Sequence, residues 1–392
     1  MAEQLSYLVI TPYSIRKSRT GGIISRVISR TGLDLVAGRM FAPSPELARE
    51  YAESIVANAD ESNPVHFETK QLIQQYVLKN FSPDPKGVRA RVLLLVFRGE
   101  DAVAKVMNVL GHIIHERSRG ETIRDTYGDY VTDDFGKVTY FEPGALAPPD
   151  AASAEADLKL WARYSDSDGG VLDTAIPFPK GSKVQKTLVL IKPDNFRFPN
   201  ARPGGVIDLF SRTGLFIIAF KVHRMSVEQA ERFYGPVLDF LQEIHRAPVA
   251  NRSALALERE LGFSIPADIK KQLGDLLGPI SGRLNWENII QFMAGRRPSE
   301  CSEVEKLQPG SEKCVALVYQ GIDAVRKIRE VLGPTDPSKA PPGSIRREFG
   351  QTIMINAAHA SDSVDNAKRE MAIVRVTENN LKPLVENHYS SL

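Results

Sequence analysis

Ser29-Arg-Thr-Gly-Leu33 recurs as Ser211-Arg-Thr-Gly-Leu215. Tyr7-Leu-Val-Ile-Thr-Pro12, an apolar run ending in Pro, has its counterpart in Leu188-Val-Leu-Ile-Lys-Pro193. A Gly-Gly pair follows each run (Gly21-Gly22 and Gly204-Gly205), and an amphipathic helical pattern follows each pair. A second strand pattern then covers Leu33 to Phe41 and Leu215 to Val222. Farther on, Arg91-Val-Leu-Leu-Leu-Val-Phe97 matches Cys314-Val-Ala-Leu-Val-Tyr319. Both lead into a helix (Asp101-Ala-Val-Ala-Lys, Asp323-Ala-Val-Arg-Lys), a Leu-Gly pair (Leu110-Gly111, Leu332-Gly333) and Thr122-Ile123-Arg124 or Ser344-Ile345-Arg346. Self-similarity over so many elements reads as a duplicated domain. The element order in each copy is β-α-β, helices, β-α, β, which suits an α/β sandwich of the ferredoxin-like type: an antiparallel sheet covered by helices. The expected boundaries are 1–165 for the first domain, 166–185 for a Gly/Pro/Asp-rich linker and 186–392 for the second. Long stretches between the second and third strands of each copy, including Phe240 to Gly282, read as helical insertions, because such lengths are uncommon for bare loops. The tail after Val376 is polar and predicts no element.

The bulk numbers agree with a globular protein of two domains. The chain has 392 residues, 42% hydrophobic and 25% charged, with a formal net charge of +2. That balance gives no electrostatic case for nucleic acid or a membrane as main partner. Cys301 and Cys314 have neither metal-ligand spacing nor the pattern of a disulfide scaffold. The Met-Ala-Glu-Gln start leads into no signal-like segment, and no apolar run is long enough to span a bilayer, so the cytoplasm is the expected address.

Chemistry concentrates in Asn356-Ala-Ala-His359-Ala-Ser361-Asp362-Ser363 and the helical pattern after it. The β-branched run at Thr352 to Ile355 predicts a strand before His359, and Ser363 an N-cap behind it. Small flanking residues leave the imidazole reachable. Glu370 stands about three helical turns beyond the ring, so a helix folded back beside the loop brings its carboxylate to one ring nitrogen. Such a His acts as nucleophile or general base; taken alone, the stretch reads rather as an ordinary surface His at a helix start, N-capped by Ser or Asp.

These motifs resemble the nucleoside diphosphate kinase family, over nearly all of residues 186 to 374. The resemblance implies a ping-pong transfer of the terminal phosphate of a nucleoside triphosphate to a nucleoside diphosphate, through a phosphohistidine at His359. It also implies roles for the residues that match: Lys192 and Arg346 as phosphate ligands, Arg329 and Thr335 as a pair gripping the nucleotide phosphates, Asn356 near the ribose, and Tyr234 beside the His. Glu370 and Ser361 would orient the ring, and Asp362 would lie near Mg2+, the implied cofactor. Nucleoside triphosphates and diphosphates are the implied partners, and a homo-oligomer the implied assembly. The chain departs from the family pattern at Ala360, where Gly is usual, and at Met354-Ile355. The aromatic that stacks on the base has no aligned counterpart; Trp286 is the candidate. In the first copy Leu146 stands in place of His359, Pro143 in place of Asn356, Thr11 in place of Lys192 and Met107 in place of Arg329, with Arg124 alone retained among the phosphate ligands. Leucine carries no phosphoryl group, so the first copy is expected to be catalytically dead. The competing reading is a nucleotide-binding regulatory or scaffold protein with little or no turnover; a third is a phosphohistidine carrier for another acceptor.

Overall fold

A computed structural model describes residues 3–57, 62–113, 120–135 and 137–389. The chain divides into two compact units, one formed by residues 1–222 with 315–392 and the other by residues 223–314.

The first unit holds two four-stranded sheets. The strands are β1 (Glu3–Ile10), β2 (Asp34–Phe41), β3 (Val92–Glu100), a small separate hairpin of β4 (Asp129–Thr132) and β5 (Val138–Glu142), then β6 (Ala145–Leu146), β7 (Val184–Ile191), β8 (Phe216–His223), β9 (Cys314–Ile322) and β10 (Ala358–Ala360). One sheet runs β2-β3-β1-β6 and the other β8-β9-β7-β10, so each strand of one has a counterpart in the other. Register matches as well. Glu3 opposes Glu100 and Ile10 opposes Leu93 in the first sheet; Val184 opposes Ile322 and Ile191 opposes Val315 in the second. Backbone exceptions recur in the same places, Asp101 and Asp323 with φ of 52° and 56°, Gly111 and Gly333 with 86° and 84°. Mostly buried Val, Leu and Ile in β1, β3, β7 and β9 make these the central strands.

The halves meet helix to helix and edge to edge. The Thr20–Thr31 helix crosses the Arg202–Ser211 helix at glycines: a Cβ on Gly21 would fall 2.3 Å from the Gly204 carbonyl oxygen, and one on Gly204 2.1 Å from that of Gly21. Only the missing side chains allow this approach. The Gly22 amide donates to Asp208 at 3.1 Å, and the Ser25 hydroxyl donates to the Ala201 carbonyl at 2.9 Å. At the sheet edges a Cβ on Gly38 of β2 would sit 2.4 Å from the Phe220 ring of β8. The segment between the halves is pinned rather than loose. Asp168 accepts from the Ser44 amide at 2.7 Å and pairs with Arg89 at 3.6 Å, and the Leu172 amide donates to the Ile218 carbonyl at 2.9 Å.

The expected insertion between β2 and β3 is two helices, Pro45–Val56 and Pro64–Asn80. The polar tail, for which the sequence predicts no element, contains the Leu381–Tyr389 helix. Its Leu381 and Val385 are fully buried with Trp161, Phe41, Tyr51 and Leu158 in the core of the first half. Burying side chains of this size is worth about 1.5–3 kcal/mol each, which outweighs the helix's unremarkable local signal.

The second unit is helical: Val227–Tyr234, Leu238–Ile244, Arg246–Leu261, the 28-residue Ala267–Ala294 and Glu303–Lys306. Gly274, Gly278 and Gly282 form one stripe of the long helix. A Cβ on any of them would come within 3 Å of Arg246 or Gln242 on the neighbouring helices, so the glycines set how closely these helices pack.

Candidate active site

β10 is short, but its register fixes the site. Ala358 opposes Ile191, His359 opposes Leu190 and Ala360 opposes Val189 of β7. His359 therefore lies within a strand. The strand expected at Thr352 to Ile355 is instead a series of bends, closed by the Gln351 amide on the Ile355 carbonyl at 2.8 Å and the Ile355 amide on the Thr352 hydroxyl at 3.0 Å. The β-branched residues there have no strand beside them to pack on: Ile353 is 62% exposed.

Ser363 caps the following Val364–Ile373 helix by accepting from the Asn366 amide at 3.0 Å. The helix returns Glu370 to the strand, where His359 Nε2 donates to Glu370 Oε2 at 2.9 Å. The Ser361 hydroxyl donates to the same oxygen at 2.7 Å, and Arg369 Nη2 lies 3.4 Å from Oε1. Glu370 is buried, whereas the His359 side chain keeps 22% of its exposure. The carboxylate is thus fixed by three donors, and the ring meets it through Nε2. Nδ1 is the nitrogen that Glu370 does not engage.

A second network carries cations to this strand. Lys192 Nζ donates to Asn356 Oδ1 at 2.7 Å and to the Met354 carbonyl at 3.1 Å. Burial, and next the charge of Arg346, lower the Lys192 pKa to about 8. Asn356 Nδ2 donates to the carbonyls of Thr335 at 3.0 Å and Ile353 at 2.8 Å, tying the Thr335 loop to the motif. Arg346 Nη1 donates to the Gly333 carbonyl at 3.0 Å and Nη2 to the Ala358 carbonyl at 3.2 Å, next to His359. Arg329 and Asp362 share an open depression of about 530 Å³. The Asp362 carboxyl is held below the usual range, chiefly by the Asn366 amide at 2.6 Å, and also by Ser363 and the charge of Arg329.

Two supports escape sequence reasoning. Ala357 has φ of 70°, a conformation that favours glycine. Its carbonyl accepts from the Lys192 amide at 2.9 Å and from Asn195 Nδ2 at 2.8 Å, which locks the turn into His359. Asn195 directly follows Lys192-Pro-Asp194, so its proximity to that motif was the available signal. Asp194 pairs with Arg202 at 3.1 Å, and burial raises its carboxyl pKa.

The structure therefore gathers His359, Glu370 and Ser361 into one network and Lys192, Asn356, Thr335 and Arg346 into an adjoining one, with Arg329 and Asp362 together on an open face. Tyr234 and Trp286 belong to the helical unit. There the Trp286 indole N–H donates to the Tyr234 carbonyl at 2.9 Å, and both side chains are buried.

The first half repeats the backbone of this site with other side chains. Leu146 opposes Val9 of β1, the register position that His359 holds against β7. Gly144 repeats the conformation of Ala357 with φ of 71°, and its carbonyl accepts from the Ser14 hydroxyl at 2.7 Å as that of Ala357 does from Asn195. Thr11 donates to buried Glu142 at 2.9 Å, and Arg124 Nη1 to the Gly111 carbonyl at 2.6 Å.

Among the described residues no helix is long and apolar enough to cross a membrane. Residues 301–379 match the family model described as nucleoside diphosphate kinase. A nucleoside diphosphate kinase of Pyrobaculum aerophilum is 30% identical over 199 residues, covering 48% of this chain and 93% of the relative. One from Helicobacter pylori is 31% identical over 188 residues, covering 48% and 93%. The crystal structure of an NDP kinase from Pyrobaculum aerophilum aligns over 51% of this chain and 98% of its own, with 30% identity and a TM-score of 0.32. On the identity to these relatives and the share of their length that is matched, the chain belongs to the nucleoside diphosphate kinase family.

Proposed function

We propose that this chain transfers the terminal phosphate of a nucleoside triphosphate to a nucleoside diphosphate through a phosphohistidine at His359, in a single active cleft built from the second of two duplicated domains. The observation that carries this reading is the Glu370–His359–Ser361 network, set beside the Lys192, Asn356 and Arg346 network. In the first half-reaction His359 Nδ1 attacks the terminal phosphorus, the bond from phosphorus to the bridging oxygen breaks, and a nucleoside diphosphate leaves. In the second, a terminal oxygen of the acceptor diphosphate attacks the same phosphorus and the N–P bond breaks, which restores the imidazole. Phosphorylation leaves positive charge on the ring, which buried Glu370 stabilises through Nε2. Lys192, Arg329 and Arg346 supply positive charge for the phosphate oxygens; phosphoryl transfer depends on such positioning and electrostatics rather than on covalent help from many groups.

Magnesium fits the donors present. Among the described residues no cluster of three or more His, Cys, Asp or Glu side chains forms a dedicated cage, and magnesium is often held by one or two carboxylates together with substrate phosphates. Asp362, kept ionised by Asn366 and Arg329, is the carboxylate we assign to it. When bound, the ion would offset charge on the phosphates.

The test is incubation with terminally labelled ATP followed by a GDP chase. The wild-type chain should acquire an acid-labile, base-stable label and release it as GTP, and His359→Ala should do neither. Full phosphotransfer by His359→Ala would end the assignment.

A further inference from the structure

The first half keeps a cleft at the position of the active one. It has a volume of about 250 Å³, and Tyr7, Tyr51, Lys70, Met107, Arg124 and Leu146 are among its lining residues. We propose that it binds a compact organic anion: a single phosphate or carboxylate head on a flat apolar body.

The head is assigned by Arg124. Its Nη1 donates to the Gly111 carbonyl at 2.6 Å, but its Nε is buried without a hydrogen-bond partner, and among the described residues it makes no ion pair. Burial lowers its pKa to about 9, with Tyr51 opposing weakly. A buried guanidinium without an ion pair is costly, and an anionic ligand relieves that cost. Asp157, the acid lining this cleft, is already bonded by the Tyr7 hydroxyl at 2.6 Å, and burial raises its pKa. The body is assigned by the remaining wall, where Leu146 and Met107 occupy the places of His359 and Arg329.

The same substitutions remove the cations that a polyphosphate chain needs. Thr11 stands where Lys192 stands in the other half, and its partner is buried Glu142, which also accepts from the Tyr76 hydroxyl at 2.6 Å. No ammonium stands there for further phosphates, since Thr11 is spent on Glu142. This cleft is a site for one charged group, and the inference stands apart from the phosphotransfer reading.

The test is calorimetric titration of the full-length chain with phenyl phosphate, and separately with phenylacetate, in saturating ADP and magnesium to fill the other cleft. One site per chain is expected for at least one probe, and the tighter probe identifies the head. Arg124→Gln should weaken it roughly tenfold or more, as loss of a charge-assisted contact does. Met107→Trp, which fills the cleft and leaves the guanidinium in place, should abolish it. Arg346→Gln should leave it unchanged, and Arg124→Gln should leave phosphotransfer near wild type. Binding of neither probe overturns the proposal, as does binding that survives Met107→Trp or is lost with Arg346→Gln. If Arg124→Gln fails to fold, Met107→Trp alone decides.

Discussion

The two clefts of the first unit share a backbone and differ in side chains. Strand register, the residue of positive φ before the fourth strand, and the Arg on a Gly carbonyl are the same in both. One then carries His359, Lys192 and Asn356 where the other carries Leu146, Thr11 and Pro143. The comparison separates what a fold needs from what a reaction needs. The same strand register and the same left-handed turn are built with either set of side chains.

Three experiments press on that contrast. The largest effect is expected from Glu370→Gln. The amide retains an acceptor for His359 but loses the charge that stabilises a phosphorylated ring, and three donors now converge on a neutral group. Phosphorylation of His359 should slow about ten- to hundredfold, with an unfolding midpoint close to wild type. An unchanged rate of label incorporation would remove Glu370 from the mechanism.

The next effect is in pH. A Lys192 pKa lowered to about 8 means that the free protein loses the ammonium as pH rises through that value. Since the charged form grips phosphate, kcat/KM should decline as pH rises through about 8. Bound phosphate holds the proton on, so kcat should decline at higher pH. Lys192→Arg should remove the limb from kcat/KM; a limb that persists would assign it to another group.

The smallest effect concerns Ala357 against Gly144. Both adopt φ near 70°, which glycine accepts and alanine resists. Ala357→Gly should raise stability in urea unfolding by up to about 1 kcal/mol, whereas Gly144→Ala should lower it by a similar amount. Equal and negligible effects at both sites would show that the turn before His359 is not strained.

Much of this was legible in the sequence, for identifiable reasons. The matching elements were readable because apolar strands, Gly pairs and the Ser-Arg-Thr-Gly-Leu run recur in one order. The site was readable because residues 356 to 370 form a contiguous motif. What escaped was non-local or ran against propensity. Ala358-His359-Ala360 is a poor strand by composition, and only pairing with β7 makes it one. The β-branched run at 352–355 looked the better strand but has no partner. The left-handed turn at Ala357 carries no glycine to announce it. The Leu381–Tyr389 helix has few apolar positions, and the surface that orders them lies far away in sequence.

That helix has a consequence for how the protein is made. Residues 381 to 389 are translated long after residues 5 to 97, yet Leu381 and Val385 complete the core those earlier residues begin. The surface in the first half that Leu381 and Val385 cover can be buried only once those residues have been made. The two halves therefore share one interior at this point.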